Sequence, residues 1–148
     1  MQIILASESP RRTQLLRDAG IDHITDPSNI DETIPPNIDV TEAAKFLAEE
    51  KALAVAGRYQ DGLVVAADTI IVFGTQILGK PKDRNDAKGM IQLLSGKMHE
   101  VVTGFCVIDT TSGMKHSKSC TTQVTFKFLS DQQIENYLNL AGEQIMDK

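Results

Sequence analysis

Apolar residues open the chain as one short block, Gln2-Ile3-Ile4-Leu5-Ala6, before the pattern breaks abruptly into Ser7-Glu8-Ser9-Pro10-Arg11-Arg12. The block predicts a short buried strand over 2–6. Ser9-Pro10 predicts a helix start, because serine caps the free N–H groups and proline at the first helical position loses nothing by lacking one. That helix runs to about Ala19 and stops at Gly20. Ile21 to about Val40 carries prolines at 27, 35 and 36 among several Asp and Asn, and reads as extended or looped. Thr41 to Arg58, rich in alanine, leucine, glutamate and lysine, predicts the clearest helix.

The run from Leu63 to Phe73 is almost continuously apolar and predicts a strand buried on both faces. Gly74-Thr75-Gln76 turns the chain back through Ile77-Leu78, and the loop Gly79-Lys80-Pro81-Lys82 leads to a helix capped by Asp83 or Asn85 and ended by Gly96. Val101 to Ile108 predicts a strand and Thr110-Thr111-Ser112-Gly113 a turn. A further strand reaches Phe128, with Val124, Phe126 and Phe128 alternating onto one face. Ser130 with Gln133 is a capping-box signal for a last helix, Asp131 to about Leu140. Interleaved strands and helices with hairpins favour an α/β domain built on a mixed sheet.

Length and charge narrow the picture. The 148 residues suit a single domain, 1–148. The net charge of -5 and the 5% aromatic content argue against nucleic acid as a partner, since phosphate backbones need a lysine and arginine excess and single strands need stacking platforms. Cys106 and Cys120 lack metal-ligand spacing and fit a reducing cytoplasm, with no apolar run long enough for a membrane span or a signal peptide. There is no GxxxxGK[ST] loop, no GxGxxG fingerprint and no GxSxG elbow, and the histidines at 23, 99 and 116 are scattered.

Five places hold candidate chemistry. Arg11 and Arg12 sit at a helix N-terminus, where the dipole disfavours cations; an anion gripped together with Ser7 or Ser9 would account for them, and a solvated basic turn is the plain alternative. Asp68, followed by Thr69, interrupts the apolar run, where an ionised carboxylate needs a partner or a metal unless it marks a strand break. Lys51 shares a helical face with Ala44, Leu47, Ala48 and Val55, and either snorkels to the surface or meets an anion. Lys80 projects from a loop bracketed by Gly79 and Pro81. Asp31-Glu32 offers carboxylates suited to a hard divalent cation, or simply a solvated loop. Taken together, these cations, carboxylates and a helix N-terminus make a site for a triphosphate with a metal ion.

In order and spacing, Ala6-Ser7-Glu8-Ser9-Pro10-Arg11-Arg12 with Leu15-Leu16, Asp31-Glu32, Glu50-Lys51, Ala67-Asp68-Thr69, Gly79-Lys80-Pro81 and Leu94-Ser95-Gly96…His99…Val102-Thr103-Gly104 resemble the Maf family. These are house-cleaning nucleotide pyrophosphatases, also called septum formation inhibitor Maf proteins. The resemblance runs from the first strand to Lys148. It implies an α/β fold with a mixed elongated sheet and flanking helices, shared with the inosine triphosphate pyrophosphatase group. It also implies a cytoplasmic hydrolase that uses a divalent cation, Mg2+ or Mn2+, to cleave between the α and β phosphates of a nucleoside triphosphate. A homodimer accords with it.

By position, the resemblance makes Asp68 the proton acceptor and a metal ligand with Glu32. It gives Lys51 and Lys80 catalytic roles, has Ser7, Arg11 and Arg12 bind substrate, and links Arg12 and Thr69 to base choice. The Ser-Pro-Arg-Arg and Ala-Asp-Thr forms resemble the branch acting on dTTP and UTP, with modified pyrimidine nucleotides as further substrates; the branch acting on 7-methyl-GTP differs at both places. Family members continue beyond the Asp147-Lys148 position with a glycine-rich segment carrying a glutamine associated with base choice. The expectation is therefore a C-terminally shortened form. Its alternatives to catalysis are a nucleotide-binding regulator of septum formation and an inactive truncated form.

Overall fold

The computed structural model describes residues 1–141, with elements β1 (Gln2–Leu5), α1 (Pro10–Asp18), β2 (Ile24–Thr25), α2 (Ala43–Ala56), β3 (Gly62–Phe73), β4 (Gln76–Leu78), α3 (Arg84–Leu94), β5 (Met98–Asp109), β6 (Lys115–Thr125) and α4 (Asp131–Ala141). The strands form one six-stranded sheet in the order β2-β1-β3-β5-β6, with β4 paired to β3. β1 runs parallel to both β2 and β3, and β4 runs antiparallel to β3, so the sheet is mixed as expected. The described residues divide into two compact units, residues 1–69 with 102–120, and residues 70–101 with 121–141.

In the first unit α2 covers the sheet. Its buried face is mostly alanine (Ala43, Ala44, Ala48, Ala52, with Leu47 and Val55), which lets the helix lie close. Ala48, Ala52 and Val55 pack on Ile4, Ala6, Val64, Ala66, Cys106 and Ile108. Gly104 makes the approach possible: a Cβ there would strike the backbone of Ala44 and Lys45. α2 is shorter than the predicted Thr41–Arg58, because Thr41 donates from both its N–H and its hydroxyl to Asp39 and so belongs to a turn.

α1 follows its capping signals. Ser9 accepts from the Arg12 N–H, and Pro10 takes the first position. At the far end the Gly20 N–H bonds to Arg17 O and the Ile21 N–H to Leu16 O, with Gly20 in the left-handed region at φ 75°, a Schellman ending that glycine reaches at no steric cost. No residue of α1 is buried, so the caps rather than a packed face hold it.

β3 corrects the expectation of burial on both faces. Its even positions, Gly62, Val64, Ala66, Ile70 and Val72, are buried, whereas the odd ones are half-buried or, at Thr69, exposed. Period-two alternation is the signature of a sheet covered well on one side. Asp68 falls on the even, core-facing side.

In the second unit β3 and β4 pair with Ile71 opposite Leu78, joined through Gly74 at φ 63°. Asp83, not Asn85, caps α3 by accepting from the Asp86 N–H at 2.7 Å. The Ser130–Gln133 capping box forms in both directions at the start of α4. α3 and α4 share a small core of Ala87, Ile134 and Leu138 with Ile91 and Leu129. β5 begins at Met98, earlier than Val101, and β6 ends at Thr125, short of Phe128. Phe126 turns its ring edge-on to buried His99, at 4.8 Å between centroids, while Phe128 is 80% exposed; the predicted alternation breaks because the strand has already ended.

Candidate functional site

Because Asp68 stands at an even position of β3, its carboxylate points toward the side that α2 covers, among neighbours that cannot solvate it. α2 supplies the answer. Lys51, on the same helical face as the buried alanines, places Nζ 2.9 Å from Asp68 Oδ1 and 2.8 Å from Glu32 Oε1. The side chains of Lys51 and Asp68 are only 11% and 14% exposed, whereas Glu32 reaches in from the irregular loop before α2 and remains 53% exposed. β3 passes through Asp68 without interruption, so the strand-break alternative does not hold, and Lys51 is an ion-pair partner rather than a snorkelling side chain.

The ammonium stays charged. Burial pulls its pKa down, but the hydrogen bonds to Glu32 and Asp68, followed by their charges, outweigh burial and lift it above the ordinary lysine value. One cation between two carboxylates leaves this cluster with a net negative charge.

Arg12 balances it. Burial lowers the Arg12 pKa, Asp68 opposes that, Arg11 adds to the lowering, and Glu32 again opposes, so the guanidinium lies within electrostatic reach of all three. Its Nη2 donates to Thr69 Oγ1 at a long 3.5 Å, and Thr69 Oγ1 lies 3.0 Å from Thr103 Oγ1 on β5. At the N-terminus of α1, Ser7 Oγ accepts from the Ser9 N–H at 3.0 Å, and Arg11 is exposed. The first unit thus gathers Glu32, Lys51, Asp68, Arg12 and Thr69, with Ser7 and Arg11 at the same helix start as Arg12. Lys80 lies in the second unit, exposed in the loop between β4 and α3. Thr103 was visible beforehand only as part of a Val-Thr-Gly string; its contact with Thr69 joins positions far apart in sequence, and no local pattern encodes it.

The donor set suits a hard divalent cation. Glu32 and Asp68 converge on one nitrogen, so their oxygens face a common point already held by a positive group. Among the described residues no group of three or more His, Cys, Asp or Glu forms a cage. A magnesium-type ion needs one or two protein carboxylates and takes its remaining oxygens from phosphate and water. Two carboxylates would repel a bare triphosphate, and a divalent cation between them removes that conflict.

The family described as Maf-like protein matches residues 2–148. A dTTP/UTP pyrophosphatase of Desulforamulus reducens is 46% identical over 99% of this chain and 75% of its own length. One of Pyrococcus furiosus is 45% identical over 93% and 71%. In fold, the chain is similar to the Ham1 protein of Staphylococcus aureus (TM-score 0.56, 13% identity, 83% of this chain and 70% of that one). It is also similar to a Vibrio cholerae protein (TM-score 0.50, 12% identity, 99% and 74%).

Proposed function

The chain belongs to the Maf family, and from that membership and the geometry above we propose that it hydrolyses dTTP and UTP to the monophosphate and pyrophosphate, with a divalent metal ion. The observation that carries the reading is the pair of carboxylates, Glu32 and Asp68, held on one buried lysine beside Arg12. Relatives named dTTP/UTP pyrophosphatase support the choice of pyrimidine nucleotides. Among the described residues no helix is long and apolar enough to cross a membrane. The free thiols Cys106 and Cys120 accord with a reducing compartment, and we assign the enzyme to the cytoplasm.

In the mechanism, Glu32 and Asp68 would hold the metal ion. When bound, the ion supplies Lewis-acid polarisation of the phosphate oxygens and lowers the pKa of water. Asp68, rigid in an unbroken strand, accepts the proton of the attacking water. The water oxygen forms a bond to the α-phosphorus, the bond from that phosphorus to the α–β bridging oxygen breaks, and pyrophosphate leaves with the bond's electrons. Lys51, 2.9 Å from Oδ1, orients the Asp68 carboxylate. Arg11 and Arg12, with the N-terminus of α1, stabilise charge building on the phosphates, and Lys80 has the catalytic role that its Gly79-Lys80-Pro81 resemblance to the family implies. Thr69, bracketed by Arg12 and Thr103, fixes the guanidinium and contributes to base choice.

The test is a panel of dTTP, UTP, CTP, ATP and GTP with Mg2+, scoring pyrophosphate against orthophosphate. Pyrophosphate from dTTP and UTP is expected. Orthophosphate alone would replace this reaction with γ-phosphate removal, and absence of turnover from folded chain would remove the catalytic reading.

A further inference from the structure

Glu32 sits in a stretch, residues 26–35, with no regular structure, and its contact to Lys51 is a half-exposed ion pair. With one partner half-exposed, a single ion pair contributes little against the freedom of a loop. Something else therefore has to deliver Glu32 to the site, and the strongest contacts of this loop lie at its entry. Arg58 Nη1 donates to Asp26 Oδ1 at 2.6 Å and to Pro27 O at 3.0 Å, and Nη2 donates to Ser28 O at 3.1 Å. Tyr59 OH donates to Asp26 Oδ2 at 2.8 Å, and the Asp26 N–H donates to Leu5 O at the end of β1. Next along the loop, Asn29 holds a left-handed φ of 55°, a conformation uncommon outside glycine and one that asparagine tolerates.

Arg58 lies in the turn just past α2, one residue beyond its cap Gly57, with its N–H bonded to Val55 O, and stands seven residues beyond Lys51. α2 and the turn that follows it therefore hold the loop at two points, its entry through Arg58 and Glu32 through Lys51. The fork of the guanidinium is what reaches three acceptors at once, two of them backbone carbonyls; a lysine ammonium is a point charge without that geometry.

We propose that Arg58 is a positioning residue: by clamping Asp26-Pro27-Ser28 it delivers Glu32 to the Lys51–Asp68 pair and so sets the affinity of the site for the divalent cation that accompanies the nucleotide. This rests on the reading of the site as one for a metal-bound nucleotide, but not on its turnover. It is tested in the whole chain by calorimetric titration with α,β-methylene-dTTP across a range of Mg2+ concentrations, using wild type, R58A, R58K, E32Q and R58A/E32Q.

R58A is expected to raise the Mg2+ concentration for half-maximal binding about tenfold, the size usual for groups that orient metal ligands. R58K should fall between R58A and wild type. In the E32Q background R58A should add nothing, because the residue it positions is already disabled. R58A binding with wild-type Mg2+ dependence overturns the proposal. Losses that multiply in R58A/E32Q overturn it too, since Arg58 would then act on the fold and not through Glu32. If wild type binds the analogue but releases no pyrophosphate from dTTP, the hydrolytic reading fails while the binding series still decides the role of Arg58. If wild type does not bind it, both fall.

Discussion

Two ion clusters in this chain use the same residue types in opposite proportion. In the first unit one cation, Lys51, lies between two carboxylates, Glu32 and Asp68. In the second one carboxylate, Glu135 on α4, lies between two cations, Arg84 and Lys88 on α3. The second is a surface strut: its side chains are 47%, 31% and 36% exposed, water screens the uneven charge, and such networks add modestly to a helix contact already made by Ala87, Ile134 and Leu138. The first removes Lys51 and Asp68 almost completely from water, and its two carboxylates are matched only when Arg12, from the start of α1, is counted with Lys51. A charge cluster at the surface is a strut; one built into a buried strand and helix, with a second cation brought in from a helix start, is a place prepared for charged chemistry.

Substitutions should separate the two clusters, the largest effect coming from Asp68. D68N keeps the shape and removes the proton acceptor, and should lower kcat for dTTP by about 10²–10⁴-fold in a pyrophosphate-release assay. A loss of only a few-fold would take the base assignment away. Next comes K51M, which strands buried Asp68 without its partner and should cost about 3 kcal/mol in urea unfolding, the low end for a broken buried pair. Millimolar Mg2+ should restore part of that loss, because a cation can occupy the place of the ammonium; K88M should show no such rescue. E32Q, at a half-exposed position, should leave stability near wild type and raise the Mg2+ requirement of turnover about tenfold.

The smallest effect belongs to E135Q. Lys88, then Arg84, hydrogen-bond Glu135 and hold its carboxyl below the ordinary range, while Glu135 raises Lys88 above the ordinary lysine value. The strut therefore stabilises above the ordinary carboxylate pKa, fading as acid passes through the lowered value of Glu135. On the alkaline side it fades as pH rises through the raised value of Lys88. E135Q should remove that shallow, salt-sensitive pH dependence from thermal melts and leave pyrophosphate release unchanged.

The contrast also explains which parts of the molecule were legible in sequence. Asp68 stood out because a charge inside an apolar strand pattern violates the pattern, whereas Lys51 drew a weak signal, since a lysine on an apolar helical stripe commonly snorkels to the surface. The Ser-Pro-Arg-Arg start of α1 and the capping box of α4 were legible because caps are local chemistry. Glu32 drew only a weak signal: a carboxylate in a polar loop breaks no rule, and what selects it is the contact with Lys51. Thr103 showed only as part of the Val102-Thr103-Gly104 string and Arg58 not at all, since their partners Thr69 and Asp26 are tens of residues away. β2 was hidden because two residues cannot show a period, and the end of β6 was misplaced because Phe126 and Phe128 continue an alternation that the backbone abandons at Thr125. Single-sided burial of β3 was masked by apolar residues on its half-buried face.

The central claim is that water attacks the α-phosphorus at the Asp68 site. Hydrolysis of dTTP in H2(18)O, with the products resolved by mass spectrometry, tests it most directly. The account predicts one labelled oxygen in dTMP and unlabelled pyrophosphate, with formation of both suppressed in D68N. Label in the pyrophosphate, or in free orthophosphate, would place the attack at another phosphorus and contradict it.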